Sequence, residues 1–343
     1  VPGVSENDTR AVAVVPCLNE EAHIAGVVAR LLDDPDWKEP LVVVADGGST
    51  DATWTIVAAM AAKDDRIKLI ANLGRIQSAA VNLAAKTFGG GRRYLVRVDA
   101  HADYPAAYVS QLIAEARRTG AASVVVAMET VGQTCFQVAA AAAQNSVLGA
   151  GGSAHRRKAV AAYVDHGHHA LFDLATFLSV GGYDETFSHN EDAELDVRLI
   201  ASGARIWLTD AVTLQYYPRK TAGALFRQYL KFGEGRAKTF LKHRARPKLR
   251  QLAPLGVAPA AALALLAPWQ PLLALPAFAW GLLSLAGGLV LGLRAKSACA
   301  MAAGLTAMIM HLGWSIGCWR QLLTSSIMPR DKAAGAVTKV RRS

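Results

Sequence analysis

The chain predicts an α/β domain on a mostly parallel sheet with flanking helices, followed by α-helical membrane segments. Three observations carry this. Short continuous apolar runs alternate with helix-period stretches from 12 to 128. Polar clusters rich in Asp, Gly and Asn stand where those runs end. Two long uncharged windows occupy the C-terminal part.

The run at 12–15 is followed by Pro16 and a helical pattern over 20–32. A second run, 41–44, leads through Asp46, Gly47 and Gly48 into a helix over 52–62. The third, 67–70, precedes Asn72, Gly74 and a helix near 77–87. The fourth, 94–98, precedes a helix over 105–118, and 122–128 is the fifth. Apolar runs of this length between helices read as parallel strands covered on both faces. Ligands of such sheets bind beyond the carboxyl ends of the strands. Beyond 129 the periodicity weakens, and 138–162, rich in Ala and Gly with Arg156, Arg157 and Lys158, reads as a mobile or ligand-shaped segment.

No Asp, Glu, Lys or Arg occurs over 251–293 or over 297–319. A membrane-spanning helix needs about 20 apolar residues. The second window fits one span. The first holds two, over 252–269 and 272–293, or one span with a re-entrant piece; Pro268 and Pro271 mark a turn between them. Between 227 and 250 nine Lys/Arg stand against the single acid Glu234, within a chain of net charge +10. A basic run abutting an apolar block points to the cytoplasmic face and to anionic lipid headgroups rather than to nucleic acid. The tail after Trp319 is basic as well, which calls for an even number of spans, so one of the first two segments is expected not to cross fully. Residues 11–18 are too short for the core of a signal peptide, so 1–226 is expected to be cytoplasmic, 227–250 interfacial, 251–320 transmembrane with two or three spans, and 321–343 a basic tail. Cys17, Cys135, Cys299 and Cys318 show no paired spacing, which fits a reducing compartment without disulfides.

Asp99, His101 and Asp103 stand at every second position after the fourth run. In extended backbone such side chains share a face and could converge on one cation. Carboxylates with an imidazole suit Mn²⁺ or Mg²⁺; a polar cap on the strand is the competing reading. Asp46 lies at a strand end, where an acid can meet a base or ribose, whereas Thr50 and Asp51 suit a helix cap. Glu191, Asp192, Glu194 and Asp196 begin a helix carrying Leu195 and Leu199. The dipole explains two of these acids, and a general base for a hydroxyl would explain another.

Together these stretches resemble glycosyltransferase family 2, the inverting GT-A enzymes. The resemblance covers about 11–236 through VVPCLNEEAHI at 14–24, VVVADGGSTDAT at 42–53, NLGRIQSAAVNLAAK at 72–86, VRVDAHADYP at 96–105 and GGYDETFSHNEDAELDVRL at 181–199. YVDHGHHALF at 163–172 is similar to the bacterial exopolysaccharide branch.

The resemblance implies a Rossmann-like GT-A catalytic domain. It implies that Pro16, Asn19, Glu20, Asp46, Arg75, Gln77, Asn82 and Asp99 line a nucleotide-sugar pocket. Asp99 and His101 take the two acidic places of the family's DxD motif, with Asp103 as a substitute ligand. Asp192 is then the base, with Glu191 beside it. His168 and His169 border the donor sugar or diphosphate, and His166 lies beside them. Arg227, Gln228, Tyr229 and Arg236 are candidates for the acceptor or diphosphate. The processive Q-x-x-R-W motif is not matched at Gln228–Phe232, which disfavours a polymerase. The implied enzyme is an inner-membrane, cytoplasm-facing, Mn²⁺- or Mg²⁺-dependent transferase moving glucose in β-linkage from a UDP-sugar to a lipid-linked saccharide. A transferase acting on polyprenyl phosphate, or a non-catalytic nucleotide-sugar-binding regulator, would share the same motifs.

Overall fold

The structure is a computed structural model that describes residues 8–150, 160–247 and 249–327. Arg156, Arg157, Lys158 and Lys248, and the tail cations Arg330, Lys332, Lys339, Arg341 and Arg342, lie outside the described residues.

The first part of the chain alternates strand and helix: β1 (Ala11–Cys17), α1 (Ile24–Leu32), β2 (Val42–Asp46), α2 (Thr53–Ala61), β3 (Ile67–Ala71), α3 (Gln77–Phe88), β4 (Tyr94–Arg97), α4 (Tyr108–Thr119) and β5 (Ser123–Thr130). Then follow α5 (Cys135–Gln144), α6 (Val147–Ala150), β6 (Ala162–Val164), β7 (His168–Asp173), α7 (Leu174–Ser179), α8 (Glu191–Ala201) and β8 (Ile206–Tyr216). The strands form one eight-stranded sheet in the order β3-β2-β1-β4-β7-β5-β8-β6. β7 lies antiparallel between β4 and β5, and β6 is antiparallel to β8; the other neighbouring pairs are parallel.

Burial explains why the first strands read as continuous apolar runs. Every residue of β2 is buried. Alternate residues of β1 serve opposite faces. Ala11, Ala13 and Val15 pack with Ile24 and Leu31 of α1, Val57 of α2 and Leu112 of α4. Val12 and Val14 pack with Val81 and Ala84 of α3, Phe177 of α7 and Leu195 of α8. The helix expected over 105–118 starts later, at Tyr108, after Ala107 adopts a left-handed conformation.

The C-terminal helices are α9 (Ala222–His243), α10 (Leu249–Leu255), α11 (Val257–Ala264), a 3₁₀ turn (Pro271–Ala274), α12 (Leu275–Ala295), α13 (Ala298–Met301) and α14 (Ala303–Ile327). Among the described residues two helices are long and apolar enough to cross a membrane, Pro271–Ala295 and Ala298–Ser325. The apolar segment before them splits into α10 and α11, with Pro254 inside α10. Its 14 residues, Gln251–Ala264, reach about 21 Å at 1.5 Å per residue, short of a hydrocarbon core of about 30 Å.

α14 is tied closely to the α/β domain. A Cβ at Gly233 of α9 would overlap the Trp314 carbonyl, and one at Gly317 of α14 would overlap the Leu230 carbonyl. The helices therefore meet backbone to backbone, as small residues permit. α12 meets α14 in the same way at Gly288 and Gly304. Thr306 Oγ1 donates to the Ala139 carbonyl of α5, and His311 meets the Leu148 carbonyl of α6.

Cys135 of α5 and Cys299 of α13 form a disulfide across a sequence separation of 164. This corrects the expectation of four unpaired thiols. Only the packing of the segment between α12 and α14 on α5 brings the two together, and sequence spacing carries no trace of that. Cys17 and Cys318 remain free and buried.

Part of the basic run is paired with the α/β domain. Lys242 Nζ lies 2.6 Å from both Asp184 and Glu194, and Lys238 donates to Thr186. Arg227, Lys231, Arg244 and Arg246 are exposed.

Replacing Gly317 by Val forces α9 and α14 apart. Overpacking of this kind costs about 1–3 kcal/mol. The expected outcome is a lower unfolding midpoint in detergent, whereas Val at exposed Gly90, where a Cβ meets open space, is expected to change it little.

Candidate active site

The loops after β1 and β2 are latched to each other. Asn19 has a left-handed backbone. Its Oδ1 accepts from Thr50 N at 2.8 Å, and its own N donates to Ser49 Oγ at 2.9 Å. Glu20 N donates to Thr53 Oγ1, and Ala52 N to Glu21 Oε2. Asp46, buried at the end of β2, accepts from Gly48 N and Ser49 N, both at 2.7 Å, through Oδ1. Its Oδ2 faces the Cys17 thiol at 3.8 Å. The turn after β3 joins the same wall: Asn72 N donates to the Asp46 carbonyl, and the Arg75 side chain lies against Gly48.

Beside this wall, β4 delivers two charged residues. Arg97, with only 5% of its side chain exposed, donates through Nη1 to Asp192 Oδ1 at 2.7 Å and to the Tyr183 hydroxyl at 3.1 Å. Tyr183 OH in turn donates to Asp192 Oδ1 at 2.7 Å. Arg97 Nε stands 3.9 Å from Asp99 Oδ1 and has no hydrogen-bond partner. Gln77 Nε2 donates to Asp99 Oδ1 at 2.7 Å. His168, at the start of β7, stands between the two acids. Its Nε2 is 3.6 Å from Asp99 Oδ2 and its Nδ1 is 3.9 Å from Asp192 Oδ2.

Asp192 and Glu191 open α8. Burial alone would raise the Asp192 pKa, but the Arg97 guanidinium, with the two histidines and the Tyr183 hydroxyl, holds it far below the carboxylate range. Glu191 moves the other way, raised by burial and by the charge of Asp192. Asp99 is lowered against its burial, chiefly by Arg97 and then His168. Burial and Arg97 lower His168.

Behind the site, His169 is fully buried and points away from His168. Ser123 Oγ lies 2.7 Å from His169 Nδ1 and 3.0 Å from the Leu171 carbonyl. His169 Nε2 meets Asp196 Oδ1 at 2.7 Å. The His169 pKa is raised: burial lowers it, but the Asp196 contact outweighs burial. His166 Nδ1 takes the other Asp196 oxygen at 2.5 Å.

Asp46, Arg75, Gln77, Asp99, His168, Glu191 and Asp192 therefore gather along the carboxyl edge of β1, β2 and β4, with Pro16, Asn19 and Glu20 in the adjoining β1 segment and loop. Asn82, His169, Gln228 and Tyr229 are engaged elsewhere. Asn82 is buried, with its amide spent on both backbone groups of Tyr183 and on Glu185. His169 faces the core. Gln228 donates to Tyr216 OH, and Tyr229 packs against Gly313 of α14. Arg227 is exposed on α9, and Arg236 sits one residue beyond the glycine that packs on the Asn190 turn.

The expected ligand set of Asp99, His101 and Asp103 is corrected. The period-two premise needs extended backbone, but β4 ends at Arg97 and Ala102 N bonds back to the Asp99 carbonyl in a turn. His101, with 68% of its side chain exposed, turns to Glu20 Oε1 at 3.0 Å, and Asp103 is exposed. No group of three His, Cys, Asp or Glu able to hold a metal occurs among the described residues.

The model of "Glycosyl transferase family 2" matches residues 12–172. The succinoglycan biosynthesis protein ExoA of Rhizobium meliloti (strain 1021) is 50% identical over 315 residues, 92% of this chain and 96% of that protein. The chain belongs to glycosyl transferase family 2. The mannosyltransferase PcManGT from Pyrobaculum calidifontis, solved with GDP-Man and Mn2+, superposes with a TM-score of 0.56 at 19% identity, covering 94% of this chain and 90% of that one. That likeness shows that the transferase has the GT-A fold.

Sequence reasoning does not mark Arg97 or Tyr183 of the transferase, and it places Asp196 only among the acids that open a helix. A charge within the apolar run YLVRV was the available signal, because an arginine is almost never buried unless paired.

A histidine whose pKa is raised on folding stabilises fully below its unfolded value, about 6.5, and loses that contribution as pH climbs through the higher folded value. Thermal melts of wild type are therefore expected to fall between about pH 6 and pH 8. His169→Gln is expected to lower the midpoint at the acid end and flatten the slope.

Proposed function

We propose that the transferase moves a hexose, glucose in β-1,3 linkage, from a UDP-sugar to a polyprenyl-diphosphate-linked saccharide in making a succinoglycan-like exopolysaccharide. The single observation that carries the transfer chemistry is the placement of Asp99 and Asp192 on either side of the His168 ring. One acid stands at the end of β4 beside the nucleotide loops, and the other opens α8. The 50% identity to a succinoglycan biosynthesis protein supports the pathway class.

In this reading Pro16, Asn19, Glu20, Asp46 and Arg75 border the nucleotide. Asp192 is the general base. Its Oδ1 is taken by Arg97 and Tyr183, so Oδ2 is the oxygen left to accept the acceptor's proton. Glu191 beside it has its pKa raised by burial and by the charge of Asp192. A single displacement with the base opposite the leaving diphosphate inverts the anomer. Asp99 fits a cation: Oδ1 is engaged by Gln77 and Oδ2 is not. When bound, a Mn²⁺ or Mg²⁺ ion would supply positive charge for the departing diphosphate.

α12 exposes Phe278, Leu282, Leu283, Leu289 and Leu293, which supports a span in the lipid of the bacterial inner membrane. Exposed Arg227, Lys231, Arg244 and Arg246 would then meet anionic headgroups. The Cys135–Cys299 bond is the feature least at home in the reducing cytoplasm. Labelling intact cells with a membrane-impermeant maleimide after reduction tests the orientation. The cytoplasmic assignment expects no labelling of Cys135 until the cells are opened.

The transfer itself is tested with membranes, labelled UDP-sugars and Mn²⁺, identifying the lipid-linked product. Asp192→Asn is expected to lower kcat by about 10²–10⁴-fold; full activity in that variant would remove Asp192 as the base. Wild type is expected to show no acid limb from Asp192 between about pH 5 and pH 8, because Arg97 keeps it ionised. In Arg97→Met the chief group opposing burial is gone, and the acid limb is expected to move up by about 1–3 pH units.

A further inference from the structure

Asp99 Oδ1 is taken by Gln77, and Oδ2 faces His168 Nε2 at 3.6 Å. Two donors on one cation, each about 2.1 Å from it, stand about 3.0–3.5 Å apart. The Asp99–His168 pair is within a few tenths of an ångström of that spacing. The ring is also held in place by construction. His168 begins β7 opposite Val126 of β5. Gly167 before it lies so close to Val125 that a Cβ would overlap that side chain. His169 after it is pinned by Ser123 and Asp196.

The charges are divided in a way that leaves room for a cation. Arg97 is bonded to Asp192 at 2.7 Å but stands 3.9 Å from Asp99. The guanidinium is thus hydrogen-bonded to the acid on α8, while the acid just after β4 keeps an oxygen, Oδ2, that neither Arg97 nor Gln77 takes.

We propose that His168, not His101 or Asp103, supplies the imidazole of a divalent-cation site with Asp99. The protein gives two donors, and diphosphate oxygens of the nucleotide complete the shell. This rests on the nucleotide-sugar reading above and assigns a ligand that the DxD spacing does not. An imidazole donor shifts preference from Mg²⁺ toward Mn²⁺, so the site selects its metal through β7 rather than through the turn after β4.

The test uses the full chain in detergent with Mn²⁺ and UDP, read by electron spin-echo spectroscopy for nitrogen coupling to manganese. Wild type is expected to show imidazole coupling, retained in His101→Ala and Asp103→Ala and lost in His168→Gln. Mn²⁺ affinity at saturating UDP is expected to fall at least about tenfold in His168→Gln, the scale at which even outer partners of a metal act. Coupling that survives His168→Gln, or that disappears in His101→Ala, overturns the assignment. Absence of nitrogen coupling in wild type overturns it as well and needs no variant to fold. None of these results touches sugar transfer, which the labelled-product assay reads separately.

Discussion

The buried ion pair between Arg97 and Asp192 is the constraint on which the site depends. A guanidinium on a central strand has lost its water, and removing one partner of such a pair costs about 3–5 kcal/mol. Asp192 and the Tyr183 hydroxyl supply the return. The pair fixes α8 against β4, so the first turn of α8 cannot drift from the strand end that carries Asp99. It also fixes which Asp192 oxygen is committed and which is open. His168 reads the distance between the two acids from the opposite side. The adjoining end of α8 is held by a second charged knot, in which Glu194, wholly buried, takes Arg198, Lys242 and His243.

The order of β1 to β5 was legible because covered parallel strands are mostly apolar, and that pattern survives Lys68 on the edge strand β3 and Arg97 at the end of β4. β6, β7 and β8 were not. β7 opens with two histidines that serve opposite faces, and β8 mixes Thr209, Asp210 and Gln215 into its length, so neither makes a clean run. The polar clusters at strand ends did mark the wall formed by Asp46, Arg75, Gln77 and Asp99. The metal spacing misled because side-chain alternation holds only while backbone stays extended, and a single turn after Asp99 sends His101 to Glu20. Asn82 looked like a ligand of the nucleotide and is instead the clip that holds the Gly182–Tyr183 turn, a role visible only when residues a hundred positions apart meet.

Composition alone also overstated how much of the basic run faces outward. Lys238 and Lys242 lie on α9 beside groups contributed by the turn before α8 and by α8 itself, so their charge is paired within the protein even where Lys242 stays exposed. The disulfide shows the same limit. Cys135 and Cys299 belong to an α/β helix and to a link between two apolar helices, and their pairing makes that link part of the catalytic domain's surface.

α9 has one further property. Gly233 presses on α14, and Gly235, two residues on, presses on the His189–Asn190 backbone just before Glu191 and Asp192. Both contacts are made without a side chain. The turn bearing the two acids and the apolar helix α14 are thus separated by the bare backbone of one helix, about 5 Å across its Cα cylinder. A side chain at either glycine would force the acid-bearing turn and α14 further apart, so the spacing between the base and the apolar helix is a dimension written in backbone alone.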